Sequence, residues 1–592
     1  MLDPSQPFLL LDDAASGSAR LLTGVQEAIS VTDHAAVAGA LARLAEPGAW
    51  GGFVGFEAGY ALEARLHALQ RPPPPGQPLA WLARFARDEA VDAAALLADW
   101  QARPAKIGPV MPAVGAADHA AAQMRVQQLI ASGDIYQANL TFPAQVAVHG
   151  HPISLYARLR AGSAAPFGAL LFTGDLWLLS LSPELFFRLD GRRLTSRPMK
   201  GTAKRGRFAA EDQARRAELA ASPKNRAENL MITDLIRNDL SRVADNVEVP
   251  ALFELEAYPT VWQMTSTVTA TAKPGVMAAD VLAALFPCGS VTGAPKIRSM
   301  EVLAEVEPAP RGAYCGAIGA ISANGDALFN VAIRTLALPV GGNTAQARLG
   351  HARLGHAGLG HAGLGLGSGI VADSVAADEW AECLAKAAFL HRRALPDLIE
   401  TMRVEAGTLP DLTLHLDRLA ASAAHLGHRF DRAALESALL GAVVGHTGRA
   451  RLLLAPSGAW SLHLSPPPLP LPDLLLAALV PLPVAGDDWR LCHKTSDRAF
   501  YDEARRAAGA AEVIFVRPDG LVTEGSFTSL FVKRGGRLLT PPADLGLLPG
   551  ILRARLIAEG RAVEALLTPA DLVSGFLVGN ALRGLIPAVL RQ

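Results

Sequence analysis

A change of pattern near residues 393 to 396 divides the sequence into a long first part and a shorter second part. A helical pattern from Ala376 to Arg392 ends there, and a strand-like run begins at Leu398, just after Pro396. A single hydrophobic core rarely grows beyond about 250 to 300 residues, and the whole chain has 592. We therefore predict two domains, 1–392 and 398–592, joined by a linker at 393–397.

The composition argues against nucleic acids and membranes as partners. Only 19% of the residues are charged and the net charge is -1, so the chain has neither the basic footprint of a nucleic-acid-binding protein nor an acidic tail. The most apolar stretch, 474–480, is much shorter than the ~20 residues that span a bilayer, and no signal peptide is visible. We expect a cytoplasmic protein, because its cysteines lack the spacing of a metal site or a disulfide framework: Cys288, Cys315, Cys383 and Cys492.

A predicted hairpin brings Glu184 and Lys200 towards each other. Asp190-Gly191 is a two-residue signal for a tight turn, and the resulting hairpin aligns Glu184 with about Arg197. Lys200 then lies roughly 10 Å farther along the strand, so both long side chains are able to reach one substrate. On spacing alone, two surface charges on a solvated sheet face are the more common arrangement.

An acidic helix is predicted from the cap residue Ser222 to Asp239. Its middle is apolar on every side, so a buried position is expected. Buried carboxylates need cations, hydrogen-bond donors or a metal ion as partners. Structural ion pairs with neighbouring arginines are the alternative to a metal site for the acidic residues of this helix, Glu228, Asp234 and Asp239.

A second acidic helix includes Asp378 to Glu382 and follows a glycine-rich segment, 367–374, that is predicted as a turn. Glu382 has two interpretations. It either pairs with Lys386 at a spacing of four residues, or it joins Glu228 as an oxygen ligand of Mg²⁺. Spacing alone leaves both open.

A five-residue repeat begins at Ala347 and decays by Leu366. A period of five matches neither helix nor strand geometry, and the segment is rich in glycine. We therefore predict a flexible hairpin tip that bulges into solvent. A metal-binding tract is the less favoured interpretation of its histidines, His351, His356 and His361.

Seven motifs of the first part occur in the order seen in chorismate-utilising enzymes, a family that includes anthranilate synthase and isochorismate synthase. They are Gly133–Leu140, Ser182–Glu184, Pro198–Thr202, Glu228–Asp239, Gly289–Lys296, Ala332–Thr335 and Gly369–Ser374. The resemblance covers essentially all of residues 1–392. At the position of Lys200 the aminodeoxychorismate synthases of this family have lysine, whereas anthranilate synthases have a small residue. In this respect the chain resembles the aminodeoxychorismate synthases.

The resemblance implies an α+β fold with a layered β core wrapped by helices, and the conversion of chorismate into 4-amino-4-deoxychorismate. In that chemistry Lys200 attacks C2 while the C4 hydroxyl leaves, and ammonia then enters at C4 and displaces the lysine. Glu184 is the implied general acid and base, and Glu228 and Glu382 are the implied ligands of Mg²⁺. The implied substrate-binding residues are Tyr314, Arg334, Gly367, Ser368, Gly369, Thr292 and Lys296.

Two further points follow from this resemblance. Trp262-Gln263-Met264 stands where several relatives carry a histidine, so we assign no chemistry to that position. No glutaminase motif is visible, which implies that a separate glutamine amidotransferase subunit supplies the ammonia. Anthranilate synthase is the alternative within the family.

The second part resembles aminodeoxychorismate lyase, a pyridoxal-phosphate enzyme related to the branched-chain aminotransferases. The resemblance rests on five motifs taken together: His415–Leu419, Cys492–Thr495, Thr523–Thr528, Leu548–Arg553 and Asn580–Gly584. It implies that Lys494 forms the Schiff base with pyridoxal phosphate and that Glu524 keeps the pyridine nitrogen protonated. The other implied cofactor-binding residues are Arg418, Gly550, Ile551, Leu552, Asn580 and Ala581. The implied reaction cleaves aminodeoxychorismate to 4-aminobenzoate and pyruvate, a step towards folate.

The second part is expected to form a smaller, two-lobed α/β domain whose lobes meet at the proline run 466–472. It departs from the lyases in two ways, since it lacks the strand pair that usually precedes Leu398 and carries Ser529 where many relatives have asparagine. Because these enzymes are usually dimers, we expect a homodimer through this domain. A dimerisation or scaffold module without catalytic activity is the alternative.

Overall fold

The computed structural model describes residues 2–258, 261–340, 359–391 and 394–591. Their contacts divide the chain into two compact units. The N-terminal unit comprises Met1–Ala203 and Glu218–Ala394, and the C-terminal unit comprises Leu395–Gln592 together with the internal segment Lys204–Ala217. The sequence prediction assigned that segment to the first domain. Most of the predicted repeat, 347–358, and residues 392 and 393 of the predicted boundary lie outside the described residues.

In the described part of the N-terminal unit, eighteen strands join into one large sheet whose pairings are mostly antiparallel. The predicted α+β fold with a layered β core is confirmed. The strands are β1 (Phe8–Asp13), β2 (Ser18–Val31), β3 (Ala49–Val54), β4 (Ala80–Asp92), β5 (Lys106–Pro112), β6 (Gln137–His149), β7 (Phe167–Phe172), β8 (Leu176–Ser182), β9 (Leu185–Asp190), β10 (Arg193–Arg197), β11 (Met199–Lys204), β12 (Ala244–Ala257), β13 (Val261–Ala272), β14 (Gly293–Ala294), β15 (Ala317–Ile321), β16 (Ala327–Val331), β17 (Thr335–Pro339) and β18 (Leu359–Ile370).

Helices cover the faces of this sheet and close its hydrophobic cores. One core joins the sheet residues Phe187 and Phe329 to Ile236 and Leu282 on two helices, and a second includes Trp177. The helices are α1 (Val37–Ala42), α2 (Gly59–Leu62), α3 (Ala93–Gln101), α4 (Ala116–Ala131), α5 (Pro152–Ser163), α6 (Ala209–Ala221), α7 (Pro223–Ser241), α8 (Ala278–Leu285), α9 (Lys296–Val306) and α10 (Ala376–Ala385). Helix α6 begins in the internal segment of the C-terminal unit.

The predicted hairpin that leads to Lys200 is present as β9 and β10. Gly191 lies in its turn with a φ of 58°, a conformation that favours glycine. Arg197 pairs with Leu185, one residue beyond Glu184, because a bulge between Thr195 and Arg197 shifts the register. Glu184 therefore lies at the start of the hairpin rather than directly opposite Arg197.

Three predictions for individual elements are corrected. Helix α7 is not buried on every side as predicted, because Leu230 is 51% exposed and the ion pair of Asp234 with Arg237 faces solvent. Residues 367–369 form part of strand β18 rather than a turn, and they pair with β6. The described end of the repeat also lies in β18, because alternation of glycine with Ala362, Leu364 and Leu366 buries one side of a strand.

The described part of the C-terminal unit has the two predicted lobes. A three-stranded antiparallel sheet packs with two helices in the first lobe, and an eight-stranded mixed sheet forms the second. The first lobe contains β19 (Leu398–Val404), α11 (Leu412–Leu426), α12 (Arg432–Ala442), β20 (Gly448–Leu454) and β21 (Trp460–Ser465). The second contains β22 (Leu475–Pro481), α13 (Ala499–Ala508), β23 (Glu512–Val516), β24 (Val522–Gly525), β25 (Ser529–Arg534), β26 (Arg537–Thr540), α14 (Ile551–Ala558), β27 (Ala562–Glu564), β28 (Phe576–Asn580) and β29 (Gly584–Leu590).

Among the described residues, no helix combines the length and the apolar character needed to cross a bilayer.

Candidate active sites

Lys200 projects from β11 into a group of three carboxylates. Burial lowers the pKa of Lys200, and the Lys386 ammonium acts in the same direction. The carboxylates that oppose this shift are those of Glu228, Glu184 and Glu382. The structure thus brings together four residues that sequence motifs had placed far apart in the chain.

Glu184 lies between β8 and β9 with only 4% of its surface exposed. Burial raises the pKa of this carboxyl group to about 7, although hydrogen bonding from Ser290, the charge of Lys200 and the Met199 amide lower it. Its Oε1 atom has no hydrogen-bond partner among the described residues. A carboxyl group of this kind holds and releases a proton near neutral pH, as a general acid and base must.

Gly369 on β18 makes room for the Lys200 amine. A methyl group at this position would lie 3.1 Å from Lys200 Nζ and 2.5 Å from Gln137 Nε2. Gln137 is fully buried at the start of β6, and neither polar atom of its side chain has a partner in the described part of the chain. Sequence reasoning assigned no role to Gln137, and its place in the first motif was the only available signal.

The two predicted metal ligands lie near each other but differ in their surroundings. Burial raises the pKa of Glu228, Lys200 and Lys224 oppose this, and the charges of Glu379 and Glu382 add to the increase. Glu382 is half exposed and pairs with Lys386 at 2.8 Å, which is the ion pair that spacing had allowed. No group of three or more metal-ligating side chains occurs within the described ranges. The metal site therefore stays a prediction.

Tyr314 and Arg334, two of the predicted substrate-binding residues, lie in the connecting segments that precede β15 and β17. The Tyr314 ring packs against Gly365 of β18, where a methyl group would lie 2.0 Å from Cδ1. Arg334 has a φ of 51°, and burial lowers the pKa of its guanidinium while Tyr258 opposes that shift. Ser368 is buried in β18 opposite Leu140, next to Gly367.

The polar groups of the Thr292 and Lys296 side chains bind other groups of the protein. The buried Thr292 hydroxyl lies within hydrogen-bonding distance of two carbonyl oxygens, those of Cys288 and Gly289. The Lys296 ammonium binds Asp239 at 2.6 Å and the Leu285 carbonyl at 2.7 Å. The predicted contact of Thr292 and Lys296 with substrate stays a prediction. The ion pair with Lys296 gives the buried Asp239 carboxylate the cationic partner that it needs.

Two amide side chains hold the backbone around Lys200. Asn229 of α7 donates from Nδ2 to the Lys200 carbonyl at 3.3 Å. Gln263 of β13 donates to the Gly201 carbonyl at 2.9 Å and accepts from the Thr202 hydroxyl at 2.9 Å. Gln263 is the position to which no chemistry was assigned, and here it fixes the strand that carries Lys200.

Lys494 has a comparable setting in the C-terminal unit. Burial lowers the pKa of Lys494 to about 7, and Arg418, Arg498 and Arg451 contribute in the same direction while Glu400 opposes them. Its carbonyl accepts a hydrogen bond from Ile399 of β19 at 2.8 Å. A lysine with this pKa is neutral in a large fraction of molecules at physiological pH.

Glu524 is the penultimate residue of β24, and its carboxyl group is buried. Its two oxygens accept hydrogen bonds from the Tyr501 hydroxyl at 2.6 Å and the Leu548 amide at 3.2 Å. Burial raises the pKa of Glu524 to about 7, and the hydrogen bond from Tyr501 opposes this. The group is therefore able to share a proton with a basic ring nitrogen.

Arg418 links the lysine site to the start of α14. Its guanidinium donates to both carboxylate oxygens of Glu400, at 2.9 and 2.6 Å, and to the Pro549 carbonyl at 3.0 Å. Burial raises the pKa of Glu400, but Arg418 and His415 bring it down to about 2. The Pro549 contact places Arg418 beside three predicted cofactor-binding residues: Gly550, which caps α14, and Ile551 and Leu552, which begin it.

Asn580 is the last residue of β28, and Ala581 follows it. Asn580 donates to the Phe527 carbonyl at 3.2 Å and accepts from the Arg583 amide at 3.0 Å.

Thr495 was missed by sequence reasoning, although it follows Lys494 directly. Its hydroxyl is buried and has no partner among the described residues.

Comparison with known proteins identifies the family of each part. Residues 6–392, more than half of the chain, match the family model described as chorismate binding enzyme. The chain belongs to the chorismate binding enzyme family. Residues 397–590 match the model described as amino-transferase class IV.

Two curated members of the chorismate binding enzyme family illustrate the similarity. Aminodeoxychorismate synthase component 1 of Klebsiella aerogenes is 41% identical over 264 residues, which are 44% of this chain and 54% of that protein. Anthranilate synthase component 1 of Methanothermobacter marburgensis is 35% identical over 266 residues, which are 45% of this chain and 54% of that protein. The chain spans about half the length of the curated relatives it matches.

A solved structure supports the fold of the N-terminal unit. The crystal structure of anthranilate synthase component I from Streptococcus pneumoniae TIGR4 aligns over 66% of this chain and 93% of that one, with a TM-score of 0.52 and 24% identity. At this identity the likeness establishes the shared fold alone.

Proposed function

We propose that the N-terminal unit converts chorismate and ammonia into 4-amino-4-deoxychorismate. The observation that carries this proposal is the placement of Lys200 beside Glu184. The pKa of the Lys200 amine is lowered, which favours its nucleophilic form, and the pKa of the Glu184 carboxyl group is raised to about 7, which suits a proton donor. Similarity to relatives named aminodeoxychorismate synthase supports the same choice.

Lys200 and Glu184 together account for the bonds and protons exchanged in the proposed reaction. The neutral Lys200 amine attacks C2 of chorismate, both double bonds of the ring shift, and the C4 hydroxyl takes a proton from Glu184 and leaves as water. Ammonia then attacks C4, both double bonds shift back, and the C2–N bond to Lys200 breaks. The Glu184 carboxylate accepts a proton from the new ammonium group, which restores both residues.

The acidic group around Lys200 fits Mg²⁺ by its chemistry. Glu228 and Glu382 are oxygen donors, and the charge of Glu382 contributes to the raised pKa of Glu228. A bound cation would relieve that repulsion and neutralise a substrate carboxylate. We propose Glu228 and Glu382 as its protein ligands, with Tyr314, Arg334 and the strand 367–369 binding the second carboxylate of chorismate.

Product analysis tests the amination. The protein receives chorismate and ammonium, and we expect wild type to place the amine at C4 and Lys200→Ala to lose this activity. Lys204→Ala is the matched control, because Lys204 is an exposed lysine on the same strand. Formation of 2-aminobenzoate would instead establish anthranilate synthase, and unchanged amination by Lys200→Ala would refute the nucleophile.

We further propose that the C-terminal unit cleaves aminodeoxychorismate with pyridoxal phosphate. The fit rests on the buried, unpartnered Thr495 hydroxyl and on the arginines around Lys494, which suit a phosphate-bearing cofactor. Lys494 would bind the cofactor, Glu524 its ring nitrogen, and Arg418 with the start of α14 its phosphate. Asn580 and Ala581 would complete the site.

The cofactor, when bound, supplies a ring that accepts electrons. In the proposed reaction Lys494 takes the proton from C4 of the substrate and delivers a proton to the departing enolpyruvyl group, which leaves as pyruvate. The Glu524 carboxyl group keeps a proton at the ring nitrogen. The remaining ring is aromatic 4-aminobenzoate.

Spectroscopy distinguishes a lyase from a scaffold module. We expect wild type to show absorbance near ~400 nm that is lost in Lys494→Ala, as for a lysine-bound pyridoxal cofactor. A colourless wild type that does not take up added cofactor would favour a non-catalytic dimerisation module.

The proposed partners follow from this chemistry. A glutamine amidotransferase subunit would supply the ammonia, so the isolated chain is expected to use ammonium but not glutamine. A homodimer through the C-terminal unit is proposed from the class IV aminotransferase match. We propose that the protein makes 4-aminobenzoate for folate synthesis in the cytoplasm. This agrees with its four free, buried cysteines, because disulfides are rare in that reducing compartment.

A further inference from the structure

The internal segment Lys204–Ala217 lies within the residues that match the chorismate binding enzyme model, yet it packs as part of the C-terminal unit. It directly follows Ala203 on the strand that carries Lys200. The segment includes the first turns of α6. Its contacts in the C-terminal unit identify what it does there.

Arg205 and Asp212 shape the segment and attach it. The Arg205 guanidinium binds the Asp212 carboxylate at 2.8 and 2.7 Å, and the same carboxylate accepts from the Gly206 amide at 2.8 Å. Arg205 also donates to the carbonyl of His425, near the end of α11, at 3.0 Å. Both charged side chains are about nine-tenths buried, with 12% and 6% exposure, so this pair is not a solvated surface contact.

Arg207 extends the attachment to the residue before Lys494. Its side chain donates to the Gly486 carbonyl at 3.2 Å, and its own carbonyl lies 2.9 Å from Nε2 of His493. The other ring nitrogen of His493, Nδ1, lies 2.9 Å from the Ser422 hydroxyl. The His493 ring is buried and stacks on His425 at 4.8 Å between centroids.

The protonation of His493 follows from these contacts. A carbonyl oxygen only accepts, so Nε2 carries the hydrogen and donates it to Arg207. Burial, reinforced by His425, lowers the pKa of His493 to about 4, so the ring is neutral and Nδ1 accepts from Ser422. The ring is thereby held from both sides, by the internal segment and by α11.

We propose that the segment Lys204–Ala217 is a functional part of the C-terminal unit and that, through the bond from His493 to Arg207, it positions Lys494. His493 and Arg207 are positioning residues, since neither is placed against the cofactor. The role assigned to Lys494 rests on the proposed lyase function. The charged groups that face Lys494 itself are Arg418, Glu400, Arg498 and Arg451.

Two variants of the full-length chain separate the two bonds of His493. In His493→Gln the amide nitrogen takes the place of Nε2 and keeps a donor for Arg207. In His493→Asn the amide oxygen takes the place of Nδ1 and keeps an acceptor for Ser422, but the bond to Arg207 is lost. Arg205→Ala removes the bonds from Arg205 to Asp212 and to the His425 carbonyl, at a distance in sequence from Lys494. It replaces His493→Asn in the test if that variant does not fold.

Two readouts on the cofactor-free protein test the proposal. Hydrogen–deuterium exchange of residues 204–217 is expected to be ~3- to 10-fold faster in His493→Asn, the range for one lost hydrogen bond, and near wild type in His493→Gln. In Arg205→Ala the increase is expected to be at least as large, because the bonds to Asp212 and to the His425 carbonyl are lost together. The pH midpoint for acylation of the Lys494 amine, followed by mass spectrometry, is expected to shift in the same two variants only.

Equal exchange in all variants would overturn the docking of the segment, and an equal Lys494 midpoint would overturn its positioning. Neither readout needs cofactor. Failure of wild type to bind pyridoxal phosphate would therefore refute the proposed lyase while leaving this inference to be judged by exchange and acylation alone.

Discussion

Glu184 and Lys200 illustrate how burial changes what a charged side chain is able to do. In water the carboxyl group would be ionised and the amine protonated at pH 7. In this protein burial raises the pKa of Glu184 to about 7 and lowers that of Lys200. These shifts favour the protonated carboxyl group and the neutral amine, which are the forms that the proposed amination needs.

The pKa of Glu184 predicts a pH dependence for the loss of the C4 hydroxyl. A general acid has to carry its proton, and Glu184 is protonated below a pKa of about 7. The rate of this step is therefore expected to fall as pH rises through about 7, with the concentration of free ammonia held constant. Glu184→Gln should lose ~10²- to 10⁴-fold in rate and also lose this limb of the profile.

Steady-state and single-turnover rates between about pH 6 and pH 9 check this expectation. Glu184→Asp keeps a titrating group and serves as the control. A wild-type rate that stays constant across that range would assign the proton to another residue.

Gln263 predicts a separation between binding and turnover. In Gln263→Leu the Gly201 carbonyl and the Thr202 hydroxyl lose their partner, so the strand after Lys200 is no longer fixed. We expect kcat for amination to fall about 10- to 100-fold, equivalent to roughly 1 to 3 kcal/mol for the lost hydrogen bonds, with little change in KM for chorismate. Gln128→Leu, on the exposed face of α4, is the control, and a fall in both variants would contradict the positioning role.

Sequence reasoning found the charged residues around Lys200 but missed two neutral amide side chains beside it, those of Gln137 and Gln263. Lys200, Glu184 and Glu228 are visible because a charge in an apolar setting requires an explanation. Gln137 and Gln263 carry no charge, and an amide is unremarkable in a sequence until its burial and its partners are known. Their roles depend on contacts across more than 60 residues of chain.

At the scale of elements, strand β18 shows why glycine recurs on one face. A methyl group on Gly369 would meet Gln137 Nε2 and Lys200 Nζ, which are the ends of flexible side chains. Gly369→Ala is therefore expected to leave the fold intact and to displace the amine, lowering kcat by about 100-fold.

Gly363→Ala is the matched control for that prediction. It lies on the same face of the same strand, and the nearest atom to its methyl group would be the Ala337 carbonyl oxygen at 3.7 Å. Amination rates and thermal unfolding temperatures of the two variants provide the measurement. Equal activity in both variants would show that the space above Gly369 is not used.

Elements with strong local signals were predictable, and elements that depend on their neighbours were not. The Asp190-Gly191 hairpin and the strand from Leu398 were inferred correctly, because turn chemistry and apolar runs are local. Residues 367–369 were taken for a turn because of their glycines. They form a strand because β6 supplies a complete row of hydrogen-bond partners, which lie more than 200 residues away in the sequence.

At the scale of the whole molecule, two sites with separate lysines predict separable activities. Lys494→Ala is expected to accumulate 4-amino-4-deoxychorismate from chorismate and ammonium. Lys200→Ala is expected to make none from chorismate but to convert added 4-amino-4-deoxychorismate into 4-aminobenzoate near the wild-type rate. Chromatography of products from each variant, and from an equal mixture of the two, provides the measurement. If Lys200→Ala also fails on the added intermediate, the two sites are not independent.

The chain length and the break near Pro396 predict two domains, and the described residues form two compact units. The membership of residues 204–217 was not predictable, because no local pattern marks a segment whose partners lie in another part of the chain. The distance from Arg207 to His493 is 286 residues.

That distance has a consequence for the order of events during synthesis. The ribosome adds about 5 to 20 residues per second, so Arg207 is made roughly 15 to 60 seconds before His493 exists. Late in that interval the N-terminal unit has all of its described strands, the last of which ends at Ile370, while the segment that follows β11 still lacks its partner His493. The nascent chain therefore passes through a stage in which Arg205 and Asp212 are exposed to the cell's proteases and chaperones, and completion of the C-terminal unit ends it.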